Sequence, residues 1–388
     1  MNGPSYVRAM GVLSVCTMVA ILVAGLWPFH APKNDVAWLA KENGLRFGEH
    51  GTVLSTNAFE SHVSSNSSSG SLEIWLEPAQ SRSRSTILGF EDSGPTAVPF
   101  LLQQSRDNLI VQRRNVEDGG KARFAESVIE DALPGETRRL VTITLGLHTT
   151  SVYLDGVLIK TSEIQGQTPG SFVGRLVLGN SVTASDSWSG QLLGLAIYPN
   201  ELTPARVSEH YQGWTKFHRP MPSQGDQPQA LYLFSERGGN VVHNQLGSTD
   251  LMIPARYLVL QSPFLALPWY HYHPTWNYWE GVGINIVGFI PLGYCLVAYL
   301  SAVHPTRLTA AAVVLLGFFV SLTIESLQSY LPTRDSGMND LITNTFGTLL
   351  GVLLYQSFLF QNLVGEFFAK LLPAQGTPGP KGGNFTSN

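Results

Sequence analysis

The sequence predicts a multi-domain chain: a four-helix transmembrane α bundle with an all-β sandwich inserted between its first and second helices. Three observations carry this. Four apolar runs, 10–27, 283–303, 308–328 and 341–360, reach the roughly 17–25 residues that a helix needs to cross a membrane. About 250 residues between the first and second runs are polar and rich in Gly, Ser and Thr, with short alternating segments parted by turn signals. The links His304 to Arg307 and Pro332 to Asn339 are too short to join anything but antiparallel neighbours.

The first run follows Arg8 and closes on Trp27-Pro28-Phe29. No small-x-small cleavage site follows it, so 8–29 reads as a retained anchor in preference to a cleaved signal peptide. Arg8, Arg307, Lys370 and Lys381 set the N-terminus, the His304 turn and the C-terminal tail in the cytoplasm by the positive-inside bias. Residues 30–280 and the turn holding Arg334 are then extracytoplasmic. With that topology Asn285 stands near the outer start of its helix, Glu325 and Gln328 near the outer end of theirs, and Asp340 and Asn344 at the outer start of the last. Three helices therefore bring polar groups to one depth.

Glu325 and Gln328 share a helical face with Ser321, and Asp340, Asn344, Gly347 and Gly351 form a second stripe. Asn side chains and a GxxxG step are also ordinary packing devices in membranes, so Asn285, Asn344, Gly347 and Gly351 keep a packing reading beside a functional one. A carboxylate in a membrane span is costly, and Arg334 is the cation nearest Glu325 in that topology. Glu325 and Asp340 are the candidates for proton exchange. Asn285, Gln328, Arg334, Asp335 and Asn344 are the candidates for binding.

Asn-Ile-Val-Gly-Phe-Ile-Pro-Leu-Gly (Asn285 to Gly293), Ile-Glu-Ser-Leu-Gln (Ile324 to Gln328), Pro-Thr-Arg-Asp (Pro332 to Asp335) and Asn-Asp-Leu-Ile-Thr-Asn-Thr-Phe-Gly (Asn339 to Gly347) resemble the VanZ-like family of bacterial membrane proteins. The family pattern falls on Asn285, Phe289, Pro291, Gly293, Glu325, Gln328, Arg334, Asp340, Asn344 and Gly347. The resemblance implies a helical bundle of the bacterial cytoplasmic membrane, associated with resistance to a lipoglycopeptide antibiotic and without a settled reaction. Its members run from the first helix directly into the second, where this chain carries its long insert.

Within the insert, Ser71 to Leu76 and Val141 to Leu145 alternate, and Ser151 to Ile159 reads as a hairpin turning on Asp155-Gly156. Gly174 to Gly179 and Gly190 to Tyr198 are further strands, and Thr203-Pro204 caps and opens a short helix. Ser-Leu-Glu-Ile-Trp-Leu-Glu-Pro (Ser71 to Pro78), Val-Tyr-Leu-Asp-Gly (Val152 to Gly156), Leu178 to Asn180 and the strand before Leu-Thr-Pro-Ala resemble the LamG-like jelly roll of the concanavalin-like superfamily, over about residues 44–215. Such sandwiches bind glycans or proteins, some with calcium. Fold alone does not grant that activity.

The glucanases of that superfamily carry E-x-D-x-x-E on a strand. Glu73-Ile-Trp-Leu-Glu77 has the wrong spacing and Trp75 at its centre, so the paired-carboxylate geometry of a glycosidase is not encoded. No cofactor is expected: Asp155, Asn180 and Asp186 are oxygen donors, but no spacing resembles a calcium loop. Residues 216–280 form a connector whose segment Ala230 to His243 either opens an uncompleted repeat or adds strands to the main domain. It ends in an aromatic cluster, Trp269, Tyr270, Tyr272, Trp276, Tyr278 and Trp279, suited to a membrane interface, with His271 and His273 beside it and no completed metal set. Cys16 and Cys295 lie in helices, so the insert has no disulfide, and 373–388 reads as a disordered tail. A net charge of −4 gives no reason to expect nucleic acid.

Two classes of function follow. One is a non-catalytic envelope module, the sandwich recognising a glycan or protein and the bundle contacting lipid headgroups. The other is a membrane enzyme or carrier for a lipid-linked envelope precursor, with Arg334 on a phosphate and Glu325 or Asp340 exchanging a proton. The first is favoured because no nucleophile and base pair and no metal set are written in the sequence.

Overall fold

The computed structural model describes residues 4–60, 69–91, 98–116, 122–164, 172–181, 186–221, 226–260, 264–267, 276–334 and 336–357. Its contacts divide the chain into two units, Met1–Phe29 with Pro263–Asn388, and His30–Ser262. Asp335, Trp269, Tyr270, His271, Tyr272, His273 and the tail 373–388 with Lys381 lie outside the described residues, as does Lys370.

The His30–Ser262 unit is an antiparallel sandwich. In chain order it has β1 (Val36–Trp38), β2 (Leu45–Phe47), β3 (Val53–Ser55), β4 (Gly70–Pro78), β5 (Arg84–Glu91), β6 (Phe100–Ser105), β7 (Asn108–Val116), β8 (Ala122–Ile129), β9 (Arg139–Leu145), β10 (Thr149–Leu154), β11 (Val157–Glu163), β12 (Arg175–Leu178) and β13 (Gly190–Tyr198). Short pieces β14 (Ala230–Tyr232), β15 (Val241–Val242) and β16 (Leu251–Met252) follow. One sheet runs β1-β2-β13-β4-β9-β10-β11 with β14 also on β13; the other runs β15-β16-β3-β12-β5-β6-β7-β8. Alternation sends Leu72, Ile74 and Leu76 of β4 into the core with Phe90, Phe100, Ile143 and Leu195. The residues between them, Ser71, Glu73, Trp75 and Glu77, fall on the opposite face of the strand.

That opposite face is covered at one end by α2 (Pro204–Phe217), the second helix in the chain after α1 (Pro4–Leu26). Thr203 caps it by accepting the Arg206 N–H, Pro204 opens it, and His218 closes it in the left-handed region at φ 54°. Trp214 of α2 packs closely on β13 because position 194 is glycine; a Cβ there would stand 2.3 Å from the indole. The β10–β11 hairpin turns on Asp155 (φ 51°) and Gly156 (φ 80°), the paired positive angles of a two-residue loop.

The other unit is helical. It contains α1, α3 (Trp276–Val303), α4 (Thr309–Gln328) and α5 (Met338–Gln356). With α2 of the sandwich, five helices lie among the described residues. Three of them, Pro4–Leu26, Tyr278–Val303 and Thr309–Gln328, are long and apolar enough to cross a membrane. The chain is a membrane protein. Glycines let α3 and α5 touch through their backbones: a Cβ at Gly347 would lie 2.3 Å from the Ile286 carbonyl, and one at Gly351 2.2 Å from that of Ile290. Helix α1 runs antiparallel to α3. Met10 packs with Tyr294, Cys295 and Ala298 near one end, and Met18, Ile21 and Leu22 pack with Phe289, Leu292 and Ile324 towards the other.

Candidate functional site

The polar groups of the helical unit gather at the end where α1 finishes and α5 begins. Glu325, 1% exposed, sits on the last turn of α4. Its Oε2 accepts the backbone N–H of Gly337 at 2.8 Å, so the carboxylate meets the residue that precedes α5. One turn back on α4, the Ser321 hydroxyl accepts from Nδ2 of Asn344 at 3.0 Å. Three residues on, Gln328 donates through Nε2 to the Gly25 carbonyl of α1 at 2.8 Å. Glu325, Gln328 and the Ser321 that binds Asn344 thus follow one another along one face of α4, and Asp340 stands in the first turn of α5.

The expected pairing of Arg334 with Glu325 is not made. Arg334 is exposed and donates through Nε (3.1 Å) and Nη2 (2.6 Å) to the carbonyl of Trp27. The physical reason is the end of α1: the carbonyls there have no intrahelical donor, and the exposed Arg334 guanidinium satisfies that of Trp27, the residue after the helix. Glu325 takes no ion-pair partner among the described residues. Asn285 is half-buried on α3, away from the contacts made by Glu325, Gln328 and Asn344. Asp335 lies outside the described residues.

What the arrangement offers is acceptors. Oε1 of Gln328 and Oδ1 of Asn344 are buried and take no hydrogen bond. Buried oxygens of this kind are ordinarily partnered, and leaving one empty costs about 1–3 kcal/mol. Together with the Glu325 carboxylate they suit a group rich in N–H or O–H donors. The sequence pointed to these side chains, but not to their partners on α1, Gly25 and Trp27, about 300 residues away in the chain; only backbone carbonyls are used there, which no residue type announces.

The sandwich holds a second polar cluster, unforeseen in the sequence. Glu73, fully buried, accepts from Trp214 Nε1 (2.9 Å) and the Tyr198 hydroxyl (2.8 Å), and its Oε1 lies 2.9 Å from Nδ1 of His210. Burial and the Glu73 charge hold the Tyr198 phenol well above its ordinary range. All the donors are committed to one carboxylate, so the cluster locks α2 onto β4 and β13. Glu77 at the other end of the same row accepts from Arg138 (2.9 Å) and Gln191 (3.0 Å).

Other oxygen donors considered for calcium have protein partners. Asp155 accepts from Arg139 Nη1 (2.5 Å) and the Leu140 N–H (3.0 Å). Asn180 accepts the Ser181 N–H and donates to Tyr257. No group of three or more His, Cys, Asp or Glu that could hold a metal occurs among the described residues.

Two known families match this chain. Residues 229–361 match VanZ/LLP1, and residues 48–208 match the concanavalin A-like lectin/glucanases superfamily. No curated protein matches it. Among solved structures it is similar to the receptor binding domain of botulinum neurotoxin C/D mosaic serotype, at 14% identity and a TM-score of 0.39 over 56% of this chain and 64% of that one. It is also similar to a putative carbohydrate binding protein from Bacteroides ovatus, at 15% identity and a TM-score of 0.38 over 54% and 57%, and to an HCR/D W1238A mutant, at 15% and 0.37 over 49% and 50%. The chain spans between 50% and 64% of the length of these three. At such scores the likeness says nothing about ligands.

Proposed function

We propose that this membrane protein, VanZ-like in its C-terminal part and concanavalin-like in its β domain, is an envelope module with two binding functions. In this reading the sandwich is an insertion between the first and second helices of a four-helix membrane unit. It is extracytoplasmic, with both termini in the cytoplasm, and recognises a glycan or protein. The helical unit contacts a lipid headgroup or a lipid-linked envelope precursor at the Glu325 end, and the protein takes part in the response to glycopeptide antibiotics. The grouping of α1 with α3, α4 and α5 supports the insertion.

The observation that supports the lipid reading is a row of buried acceptors along α4: the Glu325 carboxylate without a cation, and the Gln328 and Asn344 oxygens without a protein donor. The hydroxyls or ammonium of a headgroup would supply the missing donors. Arg334, tied to α1, is left with Nη1 at the rim for a phosphate. The test is complementation of a strain lacking the gene with wild type, Glu325→Gln, Asn344→Ala, or the chain without residues 44–215, at matched protein levels. Envelope lipid composition and glycopeptide susceptibility are read. Both point variants are expected to behave as the deletion; if Glu325→Gln complements fully, the helical unit is an anchor and the lipid reading fails.

A further inference from the structure

A cavity of about 270 Å³ opens on the β4 face just beyond the C-terminus of α2. Its floor is the row that alternation turns away from the core: half-buried Trp75 of β4 beside Leu193 of β13. The His218 ring stacks on Trp75 with centroids 5.4 Å apart and planes 17° off parallel, while Trp214 meets the same indole edge-on. Lys41, Asn43, Arg138 and Arg237 complete the wall. The size is just under the roughly 300–1,000 Å³ typical of small-molecule sites, which fits one end of a chain-like ligand better than a whole cofactor.

The wall charges sort into spent and unspent. Arg138 gives Nη1 and Nη2 to the two oxygens of Glu42 (2.8 and 2.5 Å) and Nε to Glu77 (2.9 Å), so one guanidinium and two carboxylates form a closed, rigid side. Lys41 and Arg237 have no carboxylate partner among the described residues. With both acids consumed, neither an acid and nucleophile pair nor a cation site is left. What is left is two positive charges over an aromatic floor.

Two of the lining residues are held in a conformation that L side chains seldom adopt. His218 has φ 54° and Arg237 φ 56°, angles that are unfavourable for L residues unless the surroundings impose them. The surroundings do so. The α2 cap fixes His218 through its N–H to Trp214 O (3.1 Å). The loop carrying Arg237 is tied on both sides: Gly44 donates to the Phe234 carbonyl at 3.0 Å, and Trp38 Nε1 to that of Gly239 at 2.9 Å. Both residues are therefore held in place in the wall by backbone bonds, and Arg237 presents an exposed guanidinium that no carboxylate takes up.

We infer that this pocket binds the anionic end of a saccharide, with the Trp75–His218 pair under the sugar ring and Lys41 and Arg237 on its carboxylate or phosphate. The inference rests on the glycan reading of the sandwich and makes it specific. Apolar ring faces plus a few placed polar groups are what a sugar requires, Asn43 supplies a donor and an acceptor for its hydroxyls, and a partnerless Lys and Arg select the charge.

The test uses the full chain in nanodiscs, titrated with a glucuronate-ended disaccharide, a hexose 6-phosphate and neutral maltose, followed by saturation-transfer NMR. Wild type is expected to bind an acidic probe and to lose affinity with added salt. Arg237→Gln and Lys41→Gln, with unfolding midpoints equal to wild type, are expected to weaken it about tenfold or more, the effect of removing one charge-assisted hydrogen bond. Carboxylate-only or phosphate-only binding with that loss upholds the inference and identifies the acid. Equal binding of maltose and the acidic probes, unchanged in both variants, overturns the pocket while the glycan reading stands. No binding of any of the three overturns both.

Discussion

The carboxylate of Glu325 holds the backbone N–H of Gly337 at 2.8 Å, joining the last turn of α4 to the start of α5. One bond thus links the only buried acid described in the membrane helices to the turn that carries Arg334. Removing the acceptor strands a part-buried N–H, so Glu325→Ala should cost about 1–3 kcal/mol, whereas Glu325→Gln keeps an oxygen in place and should cost less. Thermal unfolding in detergent checks the order. Equal losses would mean that the bond to Gly337 contributes nothing.

Arg334 should be nearly neutral for stability. Its two bonds go to an exposed carbonyl, so Arg334→Ala is expected to cost about 1 kcal/mol or less. Were it the counter-charge of buried Glu325, the loss would be several times larger, about 3–5 kcal/mol. Unfolding of that single variant distinguishes the two.

Glycine positions on α3 and α5 should separate sharply. Gly347→Ala and Gly351→Ala place a methyl within 2.3 Å of α3 backbone oxygens, so the helices must part, at about 1–3 kcal/mol or more. Gly288→Ala meets nothing within 4 Å and should be silent or slightly stabilising. Melting temperatures of the three variants in one detergent decide this.

The Glu73 cluster should be among the most sensitive points of the sandwich. Glu73→Ala leaves the Trp214 indole N–H, the Tyr198 hydroxyl and His210 without their shared acceptor, so a loss of several kcal/mol is expected. Near-ultraviolet circular dichroism should show the Trp214 environment collapsing. A wild-type spectrum and midpoint would contradict the locking role given to Glu73.

Alkaline pH should weaken the sandwich. Burial, reinforced by Glu73, raises the Tyr198 phenol, and burial, reinforced by Asp250, raises that of Tyr232. The unfolded chain ionises its phenols near about 10, so the folded state then binds more protons than the unfolded one. Stability from these groups is complete below that pH and declines as pH rises from there towards the folded values. Denaturant midpoints at pH 8, 10 and 11 should fall, and fall less steeply in Tyr232→Phe. An unchanged slope in that variant would contradict the assignment.

How far the sequence could be read differs from one part to another for physical reasons. The spans of α3 and α4 were legible because lipid demands an unbroken apolar run, and Glu325 stood out as a charge inside one. The β10–β11 turn was legible because only Asp155-Gly156 supplies its positive φ pair. Arg334 was misread because charge favours a carboxylate partner, whereas the free carbonyls ending α1 lay closer to hand. Glu73 looked like an ordinary strand residue; its partners Tyr198, His210 and Trp214 come from 125 to 141 residues away. The start of α2 was legible in Thr203-Pro204, and its buried side, Val207, His210 and Trp214, is spent on the sheet.

In the proposed function the Glu325 end of the helical unit holds a donor-bearing headgroup through buried acceptors that no protein donor reaches. The most direct test is native mass spectrometry of lipid co-purified with wild type, Glu325→Gln and Asn344→Ala, all extracted under the same conditions and matched for folding. One headgroup class is expected to be retained by wild type and lost from both variants. Identical lipid profiles in all three proteins would contradict it.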